Sequence, residues 1–181
     1  SRTVLRDRAL MLTMLGCACA ELELTHAEVG DLKKVDNRWV LYVQGKGKSI
    51  KDEPVSVPKA TYDALEKYIH SRGKNILEDS PLFLSYSNRA QGKPMSIRGI
   101  RETISVHLQN SKVKRGRDLK LTPFSLRHTA GILLAEQGAT PEEIMKRMRI
   151  EWRPTAMLYF RQRGKLKSQN SALTADLISV E

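Results

Sequence analysis

In the stretch PFSLRHTAG, residues 123–131, an arginine and a histidine stand side by side where the apolar run ILLAEQGA begins. With Ser125 read as the cap, Arg127 falls in the first turn of a helix, where its charge opposes the helix dipole. A solvated helix end tolerates that placement; an anion nearby would favour it. Further cations cluster along the chain: Arg98 and Arg101 after KPMS, the run KVKRGR, and Lys146 and Arg149 in KRMR. Such clusters meet phosphates rather than read bases, the alternative for each being a solvated face. The chemistry within reach is therefore the holding of a polyanion.

The whole composition points the same way. The chain has 181 residues, with 31 Lys and Arg against 20 Asp and Glu, a formal charge of +11 that recurs along its length instead of forming one tail. This pattern favours nucleic acid as partner over a membrane surface, with a merely soluble basic protein as the alternative. With 40% hydrophobic residues the length suits one buried core rather than two. Cys17 and Cys19, two apart in a helical pattern, point to different faces and cannot supply a four-ligand zinc site, so they read as reduced core residues of a cytoplasmic protein. ALMLTMLGCACA resembles a signal-peptide core, but Asp7 interrupts the basic flank and the run is too short for a bilayer span. It reads as a core helix in a fragment trimmed at its N-terminus.

The elements that must position these groups follow from periodicity and punctuation. Residues 6–22 carry a broad apolar stripe and read as a buried helix. THAEVGDLKKVDN reads as a turn-rich connection, then RWVLYVQ and SIKDEPVSVP as a hairpin joined at GKGK, with Pro54 marking an edge strand. Its aromatics, like those of the short extended segment PLFLSYS, suit sheet packing better than base stacking. ATYDALEKYIHSR has helical spacing and stops at Gly73. Ser96 caps a further helix, Ser125 and Gly138 bound the one bearing Arg127, and Thr140, Pro141 and Glu143 open the next. A short helix around PTAMLYF precedes a polar tail, residues 161–181. The expectation is a mainly α domain with a small antiparallel β-sheet.

RDRALMLTMLGCACAELELTHAEVGDL, VLYVQGKGKSIKDEPVSVP and LTPFSLRHTAGILLAEQGATPEEIMKRMRIEWRPTAMLYF resemble, in order and spacing, the catalytic domain of tyrosine recombinases, the phage integrase and Xer-type enzymes. The resemblance runs from about Arg6 to Phe160 and implies that family's fold, a single domain over residues 1–181 without the upstream DNA-binding arm. It also implies double-stranded DNA as partner, contacts between copies on DNA through the tail, and no cofactor or metal. The family carries an arginine after the first helix's glycine, a hairpin lysine, a His-x-x-Arg helix start, a later His or Trp, and a tyrosine nucleophile. On that pattern Arg127 is the second arginine, Tyr159 the nucleophile, Lys46 the hairpin lysine, and Glu21 the acid that braces the first arginine. The physical logic is that a phenol attacking a phosphodiester builds charge on the non-bridging oxygens, which guanidinium forks stabilise. A lysine can protonate the departing 5′ oxygen and a histidine can relieve the phenol of its proton.

Three positions depart from the pattern: Ala18 stands for the first arginine, Phe124 for the histidine of His-x-x-Arg, and Ile150 for the later His or Trp. Losing one guanidinium removes roughly 3 kcal/mol of transition-state stabilisation. His128 lies about 100° round the helix from Arg127, so it either turns toward a phosphate or faces the core. Trp152, Arg149, Lys48 and Lys51 are the other groups that could compensate, and Lys48 and Lys51 count with Arg98, Arg101, Lys146 and Arg149 as DNA-binding cations. Two functions remain open: strand breakage and rejoining through a 3′-phosphotyrosyl link, serving integration or excision of a mobile element, or a diverged relative that binds DNA as an architectural or regulatory partner. An unrelated RNA-binding protein is a remoter reading. Each residue also has an ordinary reading: Tyr159 as an amphipathic helix residue, Lys46 as a solvated turn, Arg127 as an exposed helix end.

Overall fold

The computed structural model of the chain describes residues 1–111 and 121–162. Among them, helix α1 (Arg2–Gly16) and the one-turn α2 (Glu21–Thr25) lead through a 3-10 turn (Val29–Asp31) into strands β1 (Leu32–Val35), β2 (Arg38–Val43) and β3 (Glu53–Ser56). Helices α3 (Lys59–Ser71), α4 (Ile97–Asn110), α5 (Pro123–Glu136), α6 (Pro141–Met148) and α7 (Arg153–Arg161) complete the order. The mainly α architecture with one small antiparallel sheet is the expected one. No helix among these residues is long and apolar enough to cross a membrane.

The expected single helix over 6–22 is cut short at Gly16. Ala18 takes a left-handed backbone, φ 51°, which breaks the helical path and turns the chain into α2. Gly16 is needed where it stands, because a Cβ there would lie 2.5 Å from Thr61 Oγ1 on α3. The absence of a side chain lets the end of α1 press against the start of α3, where Thr61 Oγ1 donates to the Leu12 carbonyl at 3.3 Å.

The sheet has the order β1-β2-β3, with Leu32 opposite Leu41 and Tyr42 opposite Pro54, so Pro54 does lie on an edge strand. β1 was not expected: its residues read as a connection because Asp36 and Asn37 are not a glycine-containing hairpin pair. Both nonetheless take positive φ, 46° and 63°, the conformation of a tight two-residue turn. PLFLSYS forms no strand and is held by isolated bridges, Glu28 to Pro81 and Leu84 to Pro94. Trp39 stacks on Tyr62 at 4.0 Å between centroids and fastens the sheet to α3.

Helix ends follow the chain's own chemistry, with one shift. Ser96 caps α4 by accepting from Gly99 N–H at 3.1 Å, and Thr140 caps α6 by accepting from Glu143 N–H at 3.2 Å. α5 starts three residues earlier than expected: Thr122 is its cap, Pro123 its first residue, and Ser125 Oγ accepts from Thr122 N–H at 3.1 Å. Pro123 fits because a first helical residue needs no N–H partner. Gly73 and Gly138 each lie one residue past the cap of their helix, with positive φ.

Two apolar clusters result. The larger joins α1, the sheet, α3 and α4 around Leu10, Met14, Leu41, Leu65, Tyr68 and Ile104. The smaller joins α5, α6 and α7 around Ala130, Ala135, Ile144, Met148 and Tyr159, and it includes Ala18 from the break after α1. Cys17 and Cys19 are buried free thiols.

Burial pushes the thiols up, Cys19 to about 12, and burial together with the Glu66 carboxylate pushes the Tyr62 phenol to about 12. Tyr68 is raised as well, chiefly by burial. Between the ordinary values, about 8.5 for a thiol and about 10 for a phenol, and these raised ones, the unfolded chain gives up protons that the folded chain keeps. Stability should therefore fall as pH rises above about 8.5, and fall faster beyond about 10. Urea unfolding midpoints measured from neutral to alkaline pH check this; a flat profile would contradict it.

Candidate active site and nucleic-acid interface

The site forms where the break after α1 meets α5, α6 and α7. Helix α5 presents Arg127, whose side chain is 14% exposed, toward that break. Its Nη1 donates to the Ala18 carbonyl at 2.5 Å and its Nη2 to the Met148 carbonyl. The space at Ala18 is filled from far along the chain. Arg149, at the end of α6, donates Nη2 to the same Ala18 oxygen at 2.9 Å. It also forks onto Glu23, Nε to Oε1 at 2.5 Å and Nη2 to Oε2 at 2.7 Å. Its Nη1 donates to the Arg147 carbonyl at 2.6 Å.

Glu23, 8% exposed, anchors the arrangement. Beyond the Arg149 fork it accepts from Ala20 N–H at 2.8 Å and lies 3.7 Å from Arg127 Nη1. The acid that braces the guanidinium beside Ala18 is Glu23 and not the expected Glu21, which pairs instead with the exposed Arg101 at 3.0 Å. Both lie on a helix of five residues, too short for sequence periodicity to say which of them faces inward. Two guanidiniums share one carboxylate, so the cluster carries one net positive charge. Burial lowers Arg127, and the neighbouring Arg149 adds to this, against the pull of Glu23. Arg149 is desolvated too, yet its hydrogen bonds to Glu23 hold it above the usual value. The opposite directions follow from which guanidinium holds the bidentate bond; both stay charged at neutral pH.

Tyr159, on α7, is 3% exposed and its ring packs against Gly131 of α5. A Cβ at Gly131 would meet ring atoms at 2.6–2.7 Å, so only glycine leaves room. Burial raises the phenol's pKa and the Arg127 charge opposes the rise. His128 tilts over Tyr159 with ring centroids 5.2 Å apart, and its Nε2 pairs with Gln162 Oε1 at 2.8 Å. His128 therefore packs on the Tyr159 ring at the α5–α7 contact and bonds to the last described residue of the chain. Phe124 lies 6.1 Å from the His128 ring and is 59% exposed. Ile150 packs against the smaller apolar cluster. Trp152 is the N-cap residue of α7 and is 69% exposed.

Arg127, His128, Tyr159 and Arg149 are thus brought together. Lys46, in the β2–β3 connection, is exposed and makes no hydrogen bond or ion pair with them among the described residues. The other cations read as phosphate contacts divide into two kinds. Lys48 is held by Asp52 at 3.0 Å and Glu53 at 2.5 Å; Lys51 by Glu28 at 2.6 Å and Asp31 at 2.8 Å; Arg98 by Glu102 at 2.7 Å. A phosphate would have to compete with those carboxylates. Lys146 is exposed on α6. The run KVKRGR lies outside the described residues apart from its place in the sequence, as does the tail from residue 163.

Removing the Glu23 charge leaves two crowded guanidiniums unneutralised. Glu23→Gln should destabilise the chain by about 3 kcal/mol, and adding Arg149→Gly should recover part of that loss by removing one of the stranded charges. Urea unfolding of the two single variants and the double variant measures the coupling; additive losses would contradict the arrangement.

Comparison with known proteins gives this geometry a context. The family model described as "Phage integrase family" matches residues 1–164. The tyrosine recombinase XerC of Leptospira interrogans is 30% identical over 135 residues, 75% of this chain and 40% of the relative. The tyrosine recombinase XerA of Thermococcus kodakarensis is 29% identical over 136 residues, 74% of this chain and 43% of the relative. The chain therefore spans less than half the length of these curated relatives. Among solved structures, the XerA recombinase superposes with a TM-score of 0.71 at 18% identity, covering 98% of this chain and 58% of that one. The XerH site-specific recombinase bound to palindromic difH substrate superposes with a TM-score of 0.74 at 12% identity, covering 96% and 47%. These likenesses establish the fold as that of a tyrosine recombinase catalytic domain.

Proposed function

Because the chain belongs to the phage integrase family, we propose that it acts in site-specific recombination of double-stranded DNA, breaking and rejoining strands through a 3′-phosphotyrosyl link at Tyr159. The observation that carries the reading is the assembly of the Arg127 guanidinium and the His128 imidazole around the Tyr159 phenol, beside a cluster with one unbalanced positive charge. An anionic phosphodiester would supply the missing negative charge.

The step balances within the chain's own groups. Tyr159 Oη attacks phosphorus, its proton passing to His128, while the bond to the 5′ oxygen breaks and Lys46 protonates the departing oxygen. Arg127 stabilises the charge that gathers on the non-bridging oxygens. Because the phosphotyrosyl bond replaces one phosphodiester with another, the reverse attack by a 5′ hydroxyl rejoins the strand without an energy source. Residues 1–181 serve as one catalytic domain in this reading, acting on DNA in the cytoplasm, with copies meeting on DNA through residues 161–181.

A second reading has its own support. Arg127 spends both terminal nitrogens on the carbonyls of Ala18 and Met148, and the phenol is almost fully enclosed. A chain fixed in that state would bind DNA without cutting it, as an architectural or regulatory partner of an active recombinase.

Incubation with nicked duplexes that trap the covalent intermediate, followed by denaturing gels, separates the two. Strand breakage requires a protein–DNA adduct that Tyr159→Phe abolishes and Arg127→Lys reduces by about 100-fold or more. DNA binding retained without any adduct would establish the second reading instead.

A further inference from the structure

Resting on the reading of this site as one that takes a DNA phosphodiester, we infer that Arg149 is a phosphate-binding residue. It would work beside Arg127 on the same phosphate group. The convergence of the two side chains carries the inference. Arg127 Nη1 and Arg149 Nη2 lie 2.5 Å and 2.9 Å from one acceptor, the Ala18 carbonyl oxygen. That oxygen is neutral, and Glu23 balances only one of the two cations. An anionic oxygen in its place would receive two charge-assisted hydrogen bonds and neutralise the cluster.

The donors needed are present. A guanidinium has five N–H groups. Arg149 commits Nε and Nη2 to Glu23 and donates once to Ala18 and once to Arg147, so its bond to the Ala18 oxygen and a remaining Nη1 hydrogen can turn to a phosphate. Glu23 meanwhile keeps the fork in place. Arg127 keeps Nε and part of each terminal nitrogen uncommitted among the described residues.

The backbone adds a second observation. Arg149 has φ 52° and ψ 50°, and Ala18, whose carbonyl it meets, has φ 51°. Both are side-chain-bearing residues in the left-handed region, where glycine is favoured. Such strain persists where the surrounding structure over-determines it and is concentrated at ligand sites. The carbonyl of the left-handed Ala18 is the group that a phosphate oxygen would displace.

The test reads DNA binding first, so that it does not depend on turnover. Affinity of the full chain for a short labelled duplex is measured by fluorescence anisotropy over a series of KCl concentrations, for wild type, Arg149→Gly and Arg149→Gln. Glycine suits the left-handed backbone and glutamine keeps a polar side chain, so two routes remove the charge; thermal unfolding identifies which variants are folded. Loss of one phosphate contact should lower the slope of log affinity against log salt by about 0.9 in a folded variant. On nicked duplex the same variants should form the Tyr159 adduct about 100-fold more slowly or worse. A wild-type slope, or adduct formation at the wild-type rate, in a folded variant would overturn the inference and leave Arg149 as a staple between α2 and α6. Absence of any adduct from wild type would instead count against strand breakage, and the salt slope would still decide the role of Arg149. Absence of salt-dependent binding by wild type would overturn both.

Discussion

One largely buried carboxylate, Glu23, holds the functional end of this molecule together. Its helix has only five residues and could not persist alone. Around it meet the break after α1, the body of α5 and the last turn of α6, each bringing a group that would be costly to bury without it. A carboxylate and a guanidinium removed from water recover the desolvation cost only where the geometry is close and the remaining hydrogen bonds are made. The Arg149 fork and the Ala20 N–H satisfy that condition. Arg127, at 3.7 Å, receives less from the same oxygen, which leaves it the more disposed of the two cations to meet an external anion.

The same constraint shapes the chemistry. A site that must hold a phosphodiester needs positive charge fixed in advance, and fixed charge is hard to keep when no ligand is present. Here backbone carbonyls of Ala18 and Met148 occupy the guanidiniums, and the ring of Tyr159 rests against Gly131 with its phenol protonated. The carbonyls satisfy the guanidinium hydrogen bonds but carry no charge, so the cluster keeps its excess positive charge. In the proposed reading, an anionic phosphate oxygen takes the place of the neutral Ala18 carbonyl between the two guanidiniums.

Much of this was legible in the sequence because it rests on local chemistry. Thr140 and Ser96 cap their helices, Pro54 marks an edge, and Arg127 and Tyr159 stand at a separation that places α5 against α7. The less legible parts depend on the left-handed backbone region, which side-chain-bearing residues adopt uncommonly. The left-handed Ala18 ends α1 early, and the paired positive φ of Asp36 and Asn37 makes a hairpin from what reads as a loop. The left-handed Arg149 aims a side chain that helical periodicity would have pointed elsewhere. The missing arginine at Ala18 is visible in the sequence, which offers Arg149 as one of several cations able to take its place. Choosing between them required knowing that Glu23 rather than Glu21 turns inward.

The central claim is that Arg127 and Arg149 form one cradle, which a DNA phosphate can enter. A crystal structure of the Tyr159→Phe variant with a short duplex tests it most directly. The expected result is a phosphate oxygen within hydrogen-bonding distance of both guanidiniums, with the Ala18 carbonyl displaced and the Glu23 fork retained. Duplex bound across the basic face with both arginines still on the Ala18 oxygen, and no phosphate between them, would contradict it.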